Sequence, residues 1–155
     1  MAGGIHTYIT MIGMISISDD GNGNIDGVFL PNSNLPARDD IESPVIKETA
    51  CQMDEFLAGK RIEFDVPIVV EGTDFQKRVL KAISEIPYGE TASYKDLAEK
   101  VGHPKAYRAV GGVCNINPIP VIIPCHRVVA TNGIGGFSDG LIIKKKLMDI
   151  EGIEY

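Results

Sequence analysis

Five consecutive residues, Pro124 to Val128, place a cysteine directly before a histidine. A thiol attacks carbon as the thiolate, and a free cysteine with a pKa of about 8.5 is mostly protonated at neutral pH. A neighbouring base therefore makes Cys125 a candidate nucleophile and His126 its candidate activator. Adjacent side chains of an extended segment point to opposite faces, so activation requires a local bend or a bridging water. The dipeptide alone favours the other interpretation, a buried thiol beside a structural histidine.

The other two cysteines, Cys51 and Cys114, are far apart in the sequence, and no pair has the spacing Cys-x-x-Cys. An odd number of separated thiols is typical of a reducing cytoplasm rather than of a disulfide framework. A zinc site made from Cys114, Cys125, His126 and His103 would lack the short paired spacings of structural zinc sites. We therefore expect free thiols and no metal.

The 155-residue chain has a formal charge of −6 that is unevenly distributed. Residues 1–71 contain four Lys and Arg against twelve Asp and Glu, a charge of −8. Residues 72–155 contain eleven against nine, a charge of +2. This asymmetry fits a nucleic-acid contact confined to the second half, although so small an excess does not require one.

The elements that must position the cysteine differ between the two halves. In the first, turn-forming residues 19–24 separate the apolar segments 5–18 and 25–30, which predicts a hairpin of two strands. Apolar spacing predicts a helix over Pro44–Leu57, and loose alternation predicts an edge strand over Ile62–Val70. The first apolar segment is short for a membrane span, and no basic residue precedes it as in a secretory signal, so we expect no membrane contact.

The second half is predominantly helical. Thr73 is a candidate N-cap of a first helix, and either Thr91 or Ser93 of a second. Pro104 suits the first turn of a third helix that reaches Cys114. Two short helices joined by a tight glycine-containing turn are typical of a helix-turn-helix, and equally of a generic helical hairpin.

Small residues dominate the third helix, in which only Tyr107 and Arg108 are large. Gly111 and Gly112 each cost roughly 1 kcal/mol relative to Ala in a helix interior. The cost indicates a backbone that must approach another surface, which is either a neighbouring helix or DNA.

A last helix is predicted over Leu141–Ile150, followed by Glu151 and Gly152. It carries three consecutive lysines, which indicate a solvated face or a phosphate contact.

A series of motifs extends from about residue 73 to residue 152, and no motif of the first half takes part in it. The motifs are Phe75-Gln76, Ile86-Pro87-Tyr88-Gly89, Ser93-Tyr94, Leu97-Ala98, Arg108-Ala109-Val110-Gly111, Asn117-Pro118, Pro124-Cys125-His126-Arg127-Val128-Val129 and Gly135-Gly136-Phe137. Taken in order, they resemble the O6-alkylguanine-DNA alkyltransferase family, also called methylated-DNA–protein-cysteine methyltransferases.

The resemblance implies an α/β N-terminal domain similar to ribonuclease H, residues 1–71. It also implies a mainly helical C-terminal domain, residues 72–155, with a helix-turn-helix of winged-helix type that binds DNA and accepts the alkyl group. The implied activity is DNA repair in a single turnover: an alkyl group moves from O6 of guanine to the protein's own cysteine without metal or organic cofactor. The implied partner is double-stranded DNA carrying O6-alkylguanine, with O4-alkylthymine left open. We expect a monomer, in the cytoplasm or on the nucleoid.

Catalytic roles carry over by position. Cys125 matches the alkyl acceptor, His126 the base that deprotonates it through a water, and Glu151 the carboxylate that orients this base. Tyr94 matches the hydroxyl that donates a proton as guanine leaves. Asn117 matches the hinge between the recognition helix and the active-site loop.

The family flips the damaged nucleotide out of the duplex and reads the minor groove with its helix-turn-helix. Arg108 matches the arginine that fills the gap left by the flipped base. The other positions matched to DNA contact are Ser93, Tyr107, Ala109, Gly111 and Gly112. Those matched to the guanine pocket are Val128, Phe137 and Ser138.

Two positions depart from the family pattern. Phe137 stands where some members have Tyr, which keeps the stacking face and loses a hydroxyl. Asp139 stands where Gly is frequent and places a charge near the pocket mouth, where it could restrict bulky O6 substituents.

Two other functions are compatible with parts of the pattern. A DNA-binding regulator would recognise lesions without reacting, but it would not need the complete set of Cys125, His126 and Glu151. A cysteine hydrolase on a helical scaffold would leave Arg108 and the glycine-rich helix unexplained.

Overall fold

The computed structural model describes residues 3–155 of the chain. The chain divides into two compact units, Met1–Val70 and Glu71–Tyr155. Each unit has its own set of buried apolar side chains. Within residues 3–155 no helix is long and apolar enough to cross a membrane.

The first unit pairs a small sheet with one helix. The antiparallel sheet has three strands, which lie side by side in the order of the chain. Ile15 and Ile17 of its central strand are buried, as are Ile46, Met53 and Phe56 of the helix. Burying an aliphatic or aromatic side chain of this size contributes roughly 1.5–3 kcal/mol. The elements are β1 (Ile5–Thr10), β2 (Gly13–Asp19), β3 (Ile25–Phe29) and α1 (Pro44–Leu57).

The segment predicted as one strand over residues 5–18 forms two strands. The chain turns at Met11 and Ile12, and Gly13 follows with φ of +114°, a conformation that side chains with a Cβ rarely adopt. The hydroxyl of Thr10 donates to the carbonyl of Gly13 at 2.6 Å and closes this turn. The first unit therefore contains two hairpins rather than one.

The strand predicted over Ile62–Val70 was wrong. One bridge, between Ile25 and Ile68, is formed in this stretch. Pro67 cannot donate to a ladder, and its carbonyl accepts from the N–H of Ile25 at 2.8 Å. The backbone N–H of Asp65 is taken by a side chain of α1 instead, that of Gln52, at 2.8 Å.

The second unit contains four α-helices and a pair of very short parallel strands. Thr73 and Ser93 each form a capping box with the residue three positions later, Gln76 and Asp96, and so begin α2 (Asp74–Ser84) and α3 (Tyr94–Lys100). Of the two candidate caps considered for α3, Ser93 is the one that acts. The elements are α2 (Asp74–Ser84), β4 (Ala92–Ser93), α3 (Tyr94–Lys100), α4 (Tyr107–Asn115), β5 (Val128–Val129) and α5 (Leu141–Glu151).

The third predicted helix begins later than expected. The N–H of Ala106 donates to the carbonyl of His103 at 2.9 Å, so Pro104 lies in a separate turn and α4 starts at Tyr107. Val110 and Val113 are the buried residues of this helix. Its opposite face is exposed, which leaves the small residues on that face open to solvent.

Candidate active site around Cys125

The segment that leads from α4 to Cys125 is held by one side chain. The amide of Asn117 donates from Nδ2 to the carbonyl of Ile123 at 2.9 Å and accepts at Oδ1 from the N–H of Ile119 at 3.0 Å. Between these contacts Val121 adopts φ of +73°, which is rare for a β-branched residue. Asn117 thus bridges both ends of a strained turn immediately before the cysteine.

The backbone bends at the cysteine. Cys125–Arg127 form one turn of 3-10 helix. The side chains of Cys125 and His126 are therefore not on opposite faces of a strand. Cys125 is 5% exposed, His126 0% and Arg127 7%. Because buried polar groups are costly unless they are hydrogen-bonded, the two basic residues need partners inside the protein.

Glu151, at the end of α5, is the shared partner of both. Nε2 of His126 lies 2.5 Å from Oε2 of the carboxylate. Nε of Arg127 donates to Oε1 at 2.8 Å and to Oε2 at 3.1 Å. Since a carboxylate only accepts, Nε2 carries the hydrogen, and Nδ1 is the nitrogen with the lone pair that can take a proton.

The segment between α2 and β4 also contacts Glu151 and Arg127. Gly89 donates its N–H to Oε1 of Glu151 at 2.8 Å, with φ of +80°. Arg127 donates from Nη1 to the carbonyl of Ile86 at 2.7 Å and lies over the ring of Tyr88, 5.6 Å from its centroid. In the sequence these residues were part of the motif Ile86-Pro87-Tyr88-Gly89, to which no role at the carboxylate was assigned, and the role of Arg127 had no signal beyond its place in the motif around the cysteine.

The protonation states follow from burial and these contacts. Burial raises the pKa of Cys125 to about 11, against the smaller opposite effect of the Asn117 amide. Burial also lowers the pKa of His126, against the opposing effect of Glu151. For Glu151, hydrogen bonds from His126 and Arg127 outweigh burial and bring the pKa down to about 2. At neutral pH the site therefore holds a neutral thiol, a neutral imidazole and an ionised carboxylate.

Beyond the cysteine, a loop connects β5 to α5 and comes back to α3. Strands β4 and β5 pair in parallel, Ala92 with Val128 and Ser93 with Val129. The hydroxyl of Tyr94 then accepts the N–H of Gly136 at 3.3 Å. The pairing places the start of α3 beside the residues that follow the cysteine.

The three residues predicted for the guanine pocket lie on this stretch. Val128 is buried, Phe137 is half-buried and Ser138 is exposed. The hydroxyl of Ser138 donates to the carboxylate of Asp139 at 3.5 Å. Asp139 acts electrostatically on the thiol, since its negative charge raises the pKa of Cys125.

The residues predicted for DNA contact are mostly on the open face of α4. Tyr107, Arg108, Ala109 and Gly112 are exposed, and Gly111 is half-buried. A Cβ added to Gly111 would meet the ring of Tyr94 at 3.8 Å, an ordinary contact. A Cβ added to Gly112 would meet nothing within 4 Å. Packing within the described chain therefore does not require either glycine.

Ser93 differs from the other predicted DNA contacts. Its hydroxyl accepts the N–H of Asp96 at 3.0 Å as the N-cap of α3. The side chain thus has a structural role at the beginning of this helix.

The sequence pattern misjudged Lys144. It is one of three lysines predicted to form a solvated face or to contact phosphate, but its side chain is fully buried and donates to a carbonyl of the loop that follows the cysteine. Burial in α5 depends on which helix face meets the loop, and a run of three identical residues carries no signal for that.

Within residues 3–155 all three cysteines are free, and no group of three or more possible metal ligands is assembled. Cys51 is exposed and Cys114 is half-buried.

Comparison with known proteins links this geometry to a family. The profile of the 6-O-methylguanine DNA methyltransferase DNA-binding domain matches residues 74–153, which include Cys125, His126 and Glu151. The chain belongs to the 6-O-methylguanine DNA methyltransferase family. A methylated-DNA–protein-cysteine methyltransferase of Methanosarcina barkeri is 51% identical over 106 residues, 68% of this chain and 67% of its own length. The constitutive enzyme of that name from Bacillus subtilis is 43% identical over 116 residues, 74% and 70% of the two chains.

Among solved structures of methyltransferase relatives, the OGT protein of Mycobacterium tuberculosis in complex with DNA superposes with a TM-score of 0.88. It is 34% identical and covers 95% of this chain and 91% of its own. The first unit, for which the sequence offered no family motif, is thus also covered by a methyltransferase fold.

Proposed function

We propose that this protein repairs DNA by taking the alkyl group of O6-alkylguanine onto Cys125, once per chain. The observation that carries the proposal is the buried Cys125, which directly precedes the buried, hydrogen-bonded pair of His126 and Glu151 in a member of this family. Relatives that are 43–51% identical are named for the same transfer, and a structural relative binds DNA.

The first step is removal of the thiol proton. Burial keeps Cys125 protonated at rest, so the thiolate has to be generated during the reaction. His126 is neutral and accepts this proton at Nδ1 through a water, while Glu151 stabilises the resulting imidazolium. The arrangement follows the nucleophile, base and orienting-acid logic of catalytic triads.

The second step exchanges two bonds. The Sγ of Cys125 forms a bond to the alkyl carbon, the bond from that carbon to O6 breaks, and its electron pair stays on the guanine. Tyr94 donates a proton to the departing base, and burial raises the pKa of this hydroxyl, so it is protonated when the reaction begins. Protonation of the base completes its restoration to guanine, and the proton held by His126 replaces the one that Tyr94 lost.

The thioether that results has no ionisable hydrogen and no leaving group that water displaces readily. Cys125 is therefore consumed, and each chain acts once without a cofactor. Asn117 holds the loop that carries the cysteine, and Val128, Phe137 and Ser138 border the guanine.

DNA contacts the exposed face of α4. Helices α3 and α4 are joined by residues 101–106 and form the helix-turn-helix, in a C-terminal domain of residues 72–155. Gly112 supports this assignment, because nothing inside the described chain explains its lack of a side chain. Arg108, which is exposed about one turn before Gly112 in the helix, fills the place of the flipped nucleotide. The other proposed contacts along the groove are Ser93, Tyr107, Ala109 and Gly111.

The remaining expectations are proposals of the same kind. Residues 1–71 form an α/β domain similar to ribonuclease H. The protein acts as a monomer in the cytoplasm or on the nucleoid, and O4-alkylthymine is a second substrate to be compared with O6-alkylguanine.

The experiment that tests this function is intact mass spectrometry after incubation with a duplex oligonucleotide containing O6-methylguanine. One methyl group per chain is expected, located on Cys125 by peptide mapping, with no further reaction on adding more DNA. Cys125→Ser should retain DNA binding and take up no methyl group. A label on Cys51 or Cys114, or repeated turnover, would contradict the proposal, and binding without transfer would instead indicate a lesion-recognising protein.

A further inference from the structure

Three consecutive lysines of α5 have different environments. Lys145 and Lys146 are exposed, whereas Lys144 is completely buried. Its Nζ donates to the carbonyls of Val128 at 2.6 Å, Ile134 at 2.7 Å and Gly136 at 2.9 Å. An ammonium group has three hydrogens, so these three carbonyls use all of them.

The carbonyls belong to the two ends of one loop. Val128 follows the 3-10 turn of the nucleophile, and Ile134 and Gly136 precede the pocket residue Phe137. A single ammonium therefore ties the start of the loop to its end, beside the site. The N–H of Gly136 also donates to Tyr94, so the same loop residue is held from both sides.

Neutral side chains would close a loop at lower cost, because burying an ammonium group is expensive unless it is fully compensated. Burial lowers the pKa of Lys144, while the charges of Cys125 and Cys114 act in the opposite direction. The positive charge in turn lowers the pKa of Cys125, against burial and against the negative charge of Asp139. Of these groups, the thiol of Cys125 is the one whose ionisation the reaction requires.

We propose that Lys144 is a positioning residue for alkyl transfer, which closes the loop from Val128 to Gly136 and supplies a fixed positive charge that stabilises the thiolate of Cys125. The inference rests on the proposed function, in which Cys125 accepts the alkyl group, but the experiment that tests it does not need DNA. Glu151 hydrogen-bonds with His126 and Arg127, whereas Lys144 holds the loop that follows Cys125.

The test compares two small reagents of nearly equal size, neutral iodoacetamide and anionic iodoacetate. In both reactions the thiolate forms an S–C bond, the C–I bond breaks and iodide leaves. Peptide mapping gives the rate at each cysteine separately. A change in access alters both rates alike, whereas loss of a nearby positive charge also lowers the ratio of the iodoacetate rate to the iodoacetamide rate.

The variants are Lys144→Met and, as the matched control on the same helix, Lys146→Met. For Lys144→Met we expect the iodoacetamide rate at Cys125 to fall about tenfold at neutral pH, the effect of raising a thiol pKa by one unit. The iodoacetate rate should fall by a further factor of about three or more. Lys146→Met should leave both rates unchanged. Equal falls for the two reagents, or no fall, would overturn the role of the charge.

Two further measurements cover the case in which Lys144→Met does not fold. Lys144→Gln removes the charge and keeps two N–H donors for the loop, and its reagent ratio should fall in the same way. In the unmodified protein, the ratio at Cys125 should exceed that at the exposed Cys51, and an equal or lower ratio would also overturn the proposal. Since neither reagent is a nucleic acid, failure to take a methyl group from DNA would refute the proposed function without changing these ratios.

Discussion

Arg127 holds Glu151 through one nitrogen, with Nε donating to Oε1 at 2.8 Å and to Oε2 at 3.1 Å. The same carboxylate accepts from Nε2 of His126. A guanidinium and an imidazole therefore bind the same buried carboxylate, and its negative charge interacts with both. Arg127 keeps Glu151 ionised and at the same time limits how strongly this carboxylate favours a protonated imidazole.

The first prediction concerns Arg127→Gln. The positive charge of Arg127 lowers the pKa of His126, as burial and Lys144 do, while Glu151 raises it. Removing it should raise the pKa of His126, and a protonated imidazole cannot accept the thiol proton. The acidic limb of the rate of methyl transfer, measured in single turnover against pH, should move to higher pH. A uniform loss at every pH would show that Arg127 only supports the fold.

The second prediction concerns stability in acid. The folded-state pKa of Glu151 is lowered from 4.5 to about 2, so its ionised form stabilises the folded protein fully above pH 4.5. That contribution should be lost as the pH falls from 4.5 towards 2. Urea unfolding across this range should show a steeper loss of stability for the native protein than for Glu151→Gln. Equal pH slopes for the two proteins would contradict the assigned pKa.

The third prediction concerns Gly112→Ala. The added Cβ meets nothing within 4 Å, and Ala is better than Gly in a helix interior by roughly 1 kcal/mol. The free energy of unfolding should therefore rise by about that amount. Duplex DNA binding should weaken by at least about tenfold if the backbone of α4 lies against the groove. Thermal unfolding and a binding titration measure the two effects. Unchanged binding would show that α4 does not lie against the DNA.

The fourth prediction concerns Arg108→Ala. This exposed side chain is proposed to fill the gap left by the flipped nucleotide, which has no counterpart when the substrate is a free base. Methyl transfer from duplex DNA should slow by at least about tenfold, while reaction with free O6-benzylguanine should change little. Single-turnover rates with the two substrates are the measurement. Equal losses with both would assign Arg108 to the pocket rather than to base flipping.

The local sequence pattern was sufficient to predict most helices of the second unit. Thr73 and Ser93 cap α2 and α3 because a hydroxyl can satisfy the open N–H groups at a helix start, a property of a few neighbouring residues. It was insufficient at Ile62–Val70, where alternating side chains suggested a strand. There the side chain of Gln52, distant in sequence, takes up the backbone N–H of Asp65.

The sequence by itself determined the resemblance to the family and with it the expected chemistry. Cys125, His126 and Glu151 could be predicted from the order of motifs that resemble this family, because such motifs record which groups a reaction needs. Only the tertiary structure decided which other groups surround them. Arg127 and Lys144 look like ordinary basic residues in the sequence, and their burial beside Glu151 and the loop from Val128 to Gly136 results from how α5 packs. The charge state of a buried site depends on all the groups around it in space, and that arrangement is not local in the chain.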